Sequence, residues 1–113
     1  MQSYSTFLPL RATDLHILLS LADGDGYGYA IIKEVEERTE GAVRLKPGAF
    51  YRILSEMLRQ GLVEERQGSD ETGVATDKRR RYYSITVLGR NVARAELARM
   101  EAMTELGRAR GLL

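Results

Sequence analysis

Lys78, Arg79, Arg80 and Arg81 run directly into Tyr82 and Tyr83, so four cationic side chains and two phenols occupy six consecutive positions. Ammonium and guanidinium groups at that density can hold phosphates, the guanidinium often through two parallel hydrogen bonds. The run follows a polar, glycine-containing stretch at residues 67–77 and precedes Ser84-Ile85-Thr86-Val87, whose alternation suits an extended strand. A short basic cluster is more often solvated surface than a binding site, so its meaning depends on what the rest of the chain builds around it.

Other chemistries find little support. The absence of cysteine excludes disulfides, thiolate nucleophiles and thiolate-bound metals, and the single histidine, His16, cannot make a histidine-rich zinc site. His16 is expected to be structural. Asp23 and Asp25 lie in a glycine-rich turn, and Glu36 and Glu37 on a helix surface, so both pairs read as solvated charge and not as an acid–base dyad in a cleft. No enzyme activity, metal or cofactor is expected.

The elements that would position the basic run come from a chain of 113 residues, enough for one domain with a single core. Its 43% hydrophobic and 29% charged composition is ordinary for a folded soluble protein. No apolar run approaches the roughly 18 residues of a membrane span. The start, Met-Gln-Ser-Tyr-Ser-Thr, lacks a signal-peptide pattern, and a cytoplasmic location is expected. Net charge is only +1, but residues 1–45 carry four basic and seven acidic side chains while residues 46–113 carry thirteen basic and nine acidic ones. Such asymmetry can orient a protein on a polyanion.

Thr13 as an N-cap with Asp14 behind it, then Leu15, Leu18, Leu19 and Ala22, predict a first helix over 13–23. Asp23-Gly24-Asp25-Gly26 breaks it, and Tyr29, Ile32, Val35 and Glu36 give a second periodic stretch ending near residues 39–41. Pro47 suits the first turn of a third helix that runs to Gln60 and stops at Gly61. Its apolar stripe is Phe50, Leu54, Met57 and Leu58, leaving Ala49, Arg52, Ser55, Glu56 and Arg59 outward. Residues 62–66 and 81–86 read as the two strands of a hairpin, with one of Tyr82 and Tyr83 buried, Tyr83 being the better choice. From Leu88 a final helix carries Val92, Ala93, Leu97, Met100, Met103 and Leu106 along one side. So small a domain leaves that stripe short of core to cover, and a second copy of the chain is the simplest partner, with folding back onto the first helix the alternative.

These pieces resemble the PadR-like transcriptional regulators, winged helix-turn-helix proteins. The matching residues are Thr13-Asp14-Leu15 with Ile17-Leu18, Gly28-Tyr29 with Ile31-Ile32, and Gly48-Ala49-Phe50-Tyr51 with Leu54. Gly61-Leu62-Val63, Arg81-Tyr82-Tyr83, and Thr86 with Gly89 follow in order, so the likeness spans residues 8 to 95. The short last helix is similar to the compact branch of the family. Tyr27 stands where many members have a charged or polar residue, and the chain lacks the tryptophan that some compact members use to stack flat aromatic drugs.

The resemblance implies a mainly α fold with a small β-hairpin: a winged helix-turn-helix over residues 1–87 and a C-terminal dimerisation helix over 88–113 in the same compact unit. It implies a ligand-responsive repressor that binds an inverted-repeat operator in double-stranded DNA as a homodimer. Within it, Lys46 and the start of the third helix suit a phosphate, and Arg52 and Ser55, with Ala49 beside them, suit base edges. Tyr51 either gives its hydroxyl to a phosphate or packs at the core edge. Lys78, Arg79 and Arg80 become the wing's phosphate ligands, and Leu97, Met100, Met103 and Leu106 the dimer seam. A small hydrophobic or aromatic effector would use Phe7, Leu8, Leu15, Met100 or Met103 near that seam, although Phe7-Leu8-Pro9-Leu10 is better read as packing on the last helix. The competing expectation is a winged helix that contacts an acidic protein and never DNA.

Overall fold

The computed structural model describes residues 4–67 and 81–113. A single 3-10 turn at Ser5–Phe7 leads into α1 (Ala12–Leu21), β1 (Gly26–Tyr27), α2 (Gly28–Arg38) and α3 (Pro47–Gln60). β2 (Val63–Gln67), β3 (Arg81–Ile85) and the long α4 (Val87–Ala109) complete the order. This is the mainly helical, winged helix-turn-helix arrangement expected.

α3 follows its sequence signals closely. Pro47 opens it, where a missing N–H loses no bond, and Gly61 closes it in the left-handed conformation at φ 78°. Phe50, Leu54 and Met57 are buried and join Leu15, Ile17, Leu18, Leu21, Ile31, Val35, Leu62, Val63, Tyr83 and Val92 in one core. Burial of these three, with Leu58 half-buried beside them, leaves α3 a single orientation, with its opposite face turned out.

Two helix readings shift. Thr13 does not cap α1: Arg11 is the N-cap, and the Thr13 hydroxyl bonds Asp14 Oδ1 at 3.3 Å. The helix begins one residue early because its entry is held from outside, with the Leu10 N–H donated to Glu96 on α4. In α2 the buried stripe is Gly28, Ile31 and Val35, while Tyr29 is 67% exposed. A glycine contributes no side chain to a hydrophobic pattern, yet here it is the residue set against α3.

The sheet has three antiparallel strands in the order β1-β3-β2, one more than the hairpin expected. Gly26 pairs with Tyr83 and Tyr27 with Tyr82, while β2 runs from Val63 opposite Ile85 to Gln67 opposite Arg81. Alternation along β3 buries Tyr83 and leaves Tyr82 half-buried, edge-to-face with Tyr27 at 5.9 Å.

Thr86 and Gly89 fasten α4 to the turn after α3. The Thr86 hydroxyl accepts the Gly89 N–H at 3.0 Å and donates to the Gly61 carbonyl at 2.6 Å, and the Thr86 N–H donates to the Leu62 carbonyl at 3.1 Å. A Cβ on Gly89 would stand 2.1 Å from the Leu62 carbonyl oxygen, so only glycine allows this approach. α4 packs on α1 and β3 through Val92, Ala93 and Glu96, and its remainder extends past the core. The radius of gyration, 16.0 Å, accordingly exceeds the about 13 Å typical of a compact chain of this length.

Candidate nucleic-acid interface

The outward face of α3 is where the predicted base-reading residues meet. Arg52 and Ser55 are exposed and Ala49 is half-exposed. Side chains of Arg52 and Lys46 make no hydrogen bond or ion pair with any described residue. Arg59, on the same face, is held by Glu56 through both carboxylate oxygens, and that bond keeps the Glu56 carboxyl below its ordinary range. Among the described residues, therefore, Arg52 is the cation on this helix without a partner, and Arg59 is neutralised.

Lys46 is the N-cap of α3 and offers no side-chain cap, so the first backbone hydrogen bond is Phe50 N–H to Lys46 carbonyl at 2.8 Å. The N–H groups of Gly48 and Ala49 precede it in the unpaired first turn, where helix donors and dipole favour an anion. A Cβ on Gly48 would meet nothing within 4 Å, so the approach to that turn is open.

Tyr51 packs at the core edge, the second of its two expected alternatives. Its ring lies edge-to-face with Phe50 at 5.1 Å and its hydroxyl sits 2.6 Å from where a Cβ of Gly28 would be, so it packs across the start of α2. It is nevertheless 45% exposed. Burial, with the Glu65 carboxylate and the Tyr51 phenol nearby, pushes the neighbouring Tyr83 phenol upward and keeps it neutral. The glycine-tyrosine pair at 28–29 thus serves Tyr51 through Gly28.

Beside α3 lies an open groove of about 460 Å³ lined by Arg11, Ala49, Arg52, Ile53 and Glu56. Arg11 did not stand out in the sequence, because a lone arginine after an apolar segment carries no motif. Its proximity to α3 comes from tertiary packing alone.

Lys78, Arg79 and Arg80 lie outside the described residues. The strand cations next to them are engaged: Arg81 with Glu65 at 3.4 Å, and Arg66 with Asp25 and Glu64, each at 3.8 Å. Those pairs link β3 to β2 and β2 to the turn before β1, so these cations are turned to neighbouring carboxylates more than outward.

On α4, Leu97, Met100, Met103 and Leu106 are all exposed, at 40, 45, 60 and 54%. Their three-residue spacing, at about 100° per residue, winds them around the helix, so Leu97 and Leu106 end roughly half a turn apart and not along the one side expected. Among the proposed effector residues, Leu15 is buried in the core, while Phe7 and Leu8 pack against it, leaving Met100 and Met103 open. The N-terminal segment packs against the core and is tied to the last helix as expected, through a bond from Leu10 to Glu96 that the sequence did not single out. Glu96 is 1% exposed, accepts the Leu10 N–H at 2.5 Å, and binds Arg99 at 2.5 and 2.7 Å. Burial opposes its ionisation, but the Leu10 N–H and Arg99 outweigh that and hold its carboxyl below the ordinary range.

Among the described residues no helix is long and apolar enough to cross a membrane, and no His, Cys, Asp and Glu cluster is arranged to hold a metal.

Known proteins carry the same design. The family model described as "Transcriptional regulator PadR-like family" matches residues 17–95. An uncharacterised protein of Lysinibacillus sphaericus is 30% identical over 77 residues, covering 68% of this chain and 67% of its own. A solved transcriptional regulator from Clostridium thermocellum superposes with a TM-score of 0.71 at 25% identity, covering 96% of this chain and 97% of that one. A PadR-family regulator from Clostridium difficile gives 0.72 at 27% identity, covering 88% and 97%. With the open, unpaired face of α3 and the three-stranded wing base already in view, the match over most of its length means that the chain belongs to the PadR-like family of transcriptional regulators, which bind DNA and are not enzymes.

Proposed function

We propose that two copies of this chain bind an inverted-repeat operator and repress transcription from it in the cytoplasm. The observation that carries the reading is the Arg52 guanidinium, without a partner among the described residues, on the exposed face of a helix that buries Phe50, Leu54 and Met57 on the other side. Arg52 is the residue to grip a guanine through two hydrogen bonds, with Ser55 and Ala49 as its neighbours on the base edges. Lys46, the first turn of α3 and the Tyr51 hydroxyl hold phosphates, and Lys78, Arg79 and Arg80 do so from the wing. In this division of labour, residues 1–87 bind DNA and residues 88–113 pair the protomers.

The exposed side chains of Leu97, Met100, Met103 and Leu106 support the pairing, since large apolar groups on successive turns of a helix gain by covering one another. A twofold dimer then demands two half-sites about one duplex turn apart, roughly 34 Å. A small apolar or aromatic effector seated by Met100 and Met103 would alter the angle between the two α4 helices and with it the half-site spacing.

The test is gel retardation of the duplex upstream of the chain's own coding sequence, with scrambled duplex as competitor. Retention that survives the competitor is expected. Loss of retention to the scrambled duplex, together with binding to an acidic protein partner, would replace this reading with a protein-contact module.

A further inference from the structure

We infer that Arg11 is an additional backbone-phosphate contact of the interface and that Glu96, on α4, is the residue that positions it; the inference rests on the duplex-binding reading above. Arg52 and Ser55 point away from the buried stripe of α3, whereas Ile53 and Glu56, spaced i and i+3, form one flank of the helix, with Ala49 between that flank and the outward face. Arg11 stands across the groove from that flank, with a side chain 66% exposed. A helix laid in a major groove turns its outward face to base edges and its flanks to the sugar-phosphate walls. Arg11 is the cation at one such wall.

The surrounding charges permit this. Glu56, the acid in the groove, is neutralised by Arg59. Asp14 meets Arg11 through Nε and Nη2 at 3.4 Å, long contacts that orient the guanidinium without saturating its five donors. Nη1 has no partner among the described residues.

Position comes from α4. The Arg11 carbonyl accepts the Leu15 N–H at 3.1 Å, which ties its far side to α1, and the preceding Leu10 N–H is held by Glu96 at 2.5 Å. Arg11 is therefore clamped on both sides by hydrogen bonds, one of them to the helix that also carries the proposed dimer seam. Glu96 itself is fixed by Arg99 and almost fully buried.

The experiment measures fluorescence anisotropy of a labelled duplex from the chain's own upstream region, titrated with full-length protein across a potassium chloride series. Arg11→Ala is expected to lower the salt slope by about one unit per protomer, while Arg11→Lys keeps it. Glu96→Ala should reproduce the Arg11→Ala slope, and the double variant should fall no further. Glu96→Gln retains an oxygen for the Leu10 N–H and should keep the parent slope. Arg11 is exposed, so its variants keep the fold and carry the test even where Glu96→Ala loses its helical circular-dichroism signal. A parent slope in Arg11→Ala overturns the contact, and a parent slope in a folded Glu96→Ala overturns the positioning. If Arg52→Ala lowers the slope and Arg11→Ala does not, this inference alone fails; a parent that binds no duplex brings down the underlying reading with it.

Discussion

Gly89→Ala should be among the most damaging single-methyl additions this chain can receive, although alanine is the better helix former. Intrinsic propensity would favour alanine in α4 by up to about 1 kcal/mol. Against that, the new Cβ would stand 2.1 Å from the Leu62 carbonyl oxygen and 2.9 Å from Ile85 Cγ1, and a backbone carbonyl at the end of α3 cannot swing aside as a side chain can. Relief requires α4 to lift from the 61–62 turn by an ångström or more, taking with it the Thr86 bonds to Gly61 and Leu62. Losing two or three hydrogen bonds of about 0.5–1.5 kcal/mol each, plus loosened packing around Val92, leaves a net destabilisation of roughly 2–4 kcal/mol. That is a large share of the about 5–15 kcal/mol stability of a typical domain. Urea unfolding followed by circular dichroism measures it, with Gly107→Ala as the control: a Cβ there meets nothing within 4 Å, so that variant should gain up to about 1 kcal/mol. A Gly89→Ala midpoint equal to or above the parent's would refute the close-approach argument.

Arg52→Ala should weaken specific duplex binding by about 1–3 kcal/mol and relax preference at one base pair per half-site, whereas Arg59→Ala, already paired with Glu56, should change affinity little; anisotropy against single-base-pair variants separates the two. Met103→Glu, a charge among the exposed apolar side chains of α4, should shift the chain to a monomer in sedimentation velocity while its melting temperature stays close to the parent's, since Met103 is 60% exposed. Glu96 has a folded-state carboxyl held below its ordinary value of 4.5, so its charge stabilises the fold above that pH and the contribution is lost as pH falls further; the stability gap between parent and Glu96→Gln should be constant near neutrality and close on acidification, and a gap that widens in acid would reverse the assignment.

What could be read from the sequence was what repeats along it. Phe50, Leu54 and Met57 mark the core side of α3 through helical spacing alone, and Pro47 and Gly61 mark its ends. The alternation at Tyr82-Tyr83 likewise separates the buried ring from the half-exposed one. The parts that escaped depend on partners distant in the chain. β1 is two residues long and exists only because β3 pairs with it, so Gly26–Tyr27 reads locally as the end of a turn. Glu96 sits in a stretch rich in alanine, arginine and glutamate where every acid looks solvated, and its burial follows from Leu10, eighty-six residues away. The start of α1 was misplaced for the same reason: a docked Leu10, and not Thr13, decides it. The α2 stripe was legible only in part, through Val35 and the half-buried Ile32, because Gly28 is visible as a member only once Tyr51 is seen lying over it.

In the proposed twofold complex α3 enters the major groove twice, led by Arg52. Hydroxyl-radical footprinting of both strands of the upstream duplex, alongside guanine N7 methylation interference, reads that geometry. Two protected patches related by a dyad and about one duplex turn apart are expected, each containing a guanine whose methylation blocks the parent protein but no longer matters to Arg52→Ala. A single patch without a dyad, or interference that Arg52→Ala leaves unchanged, would contradict it.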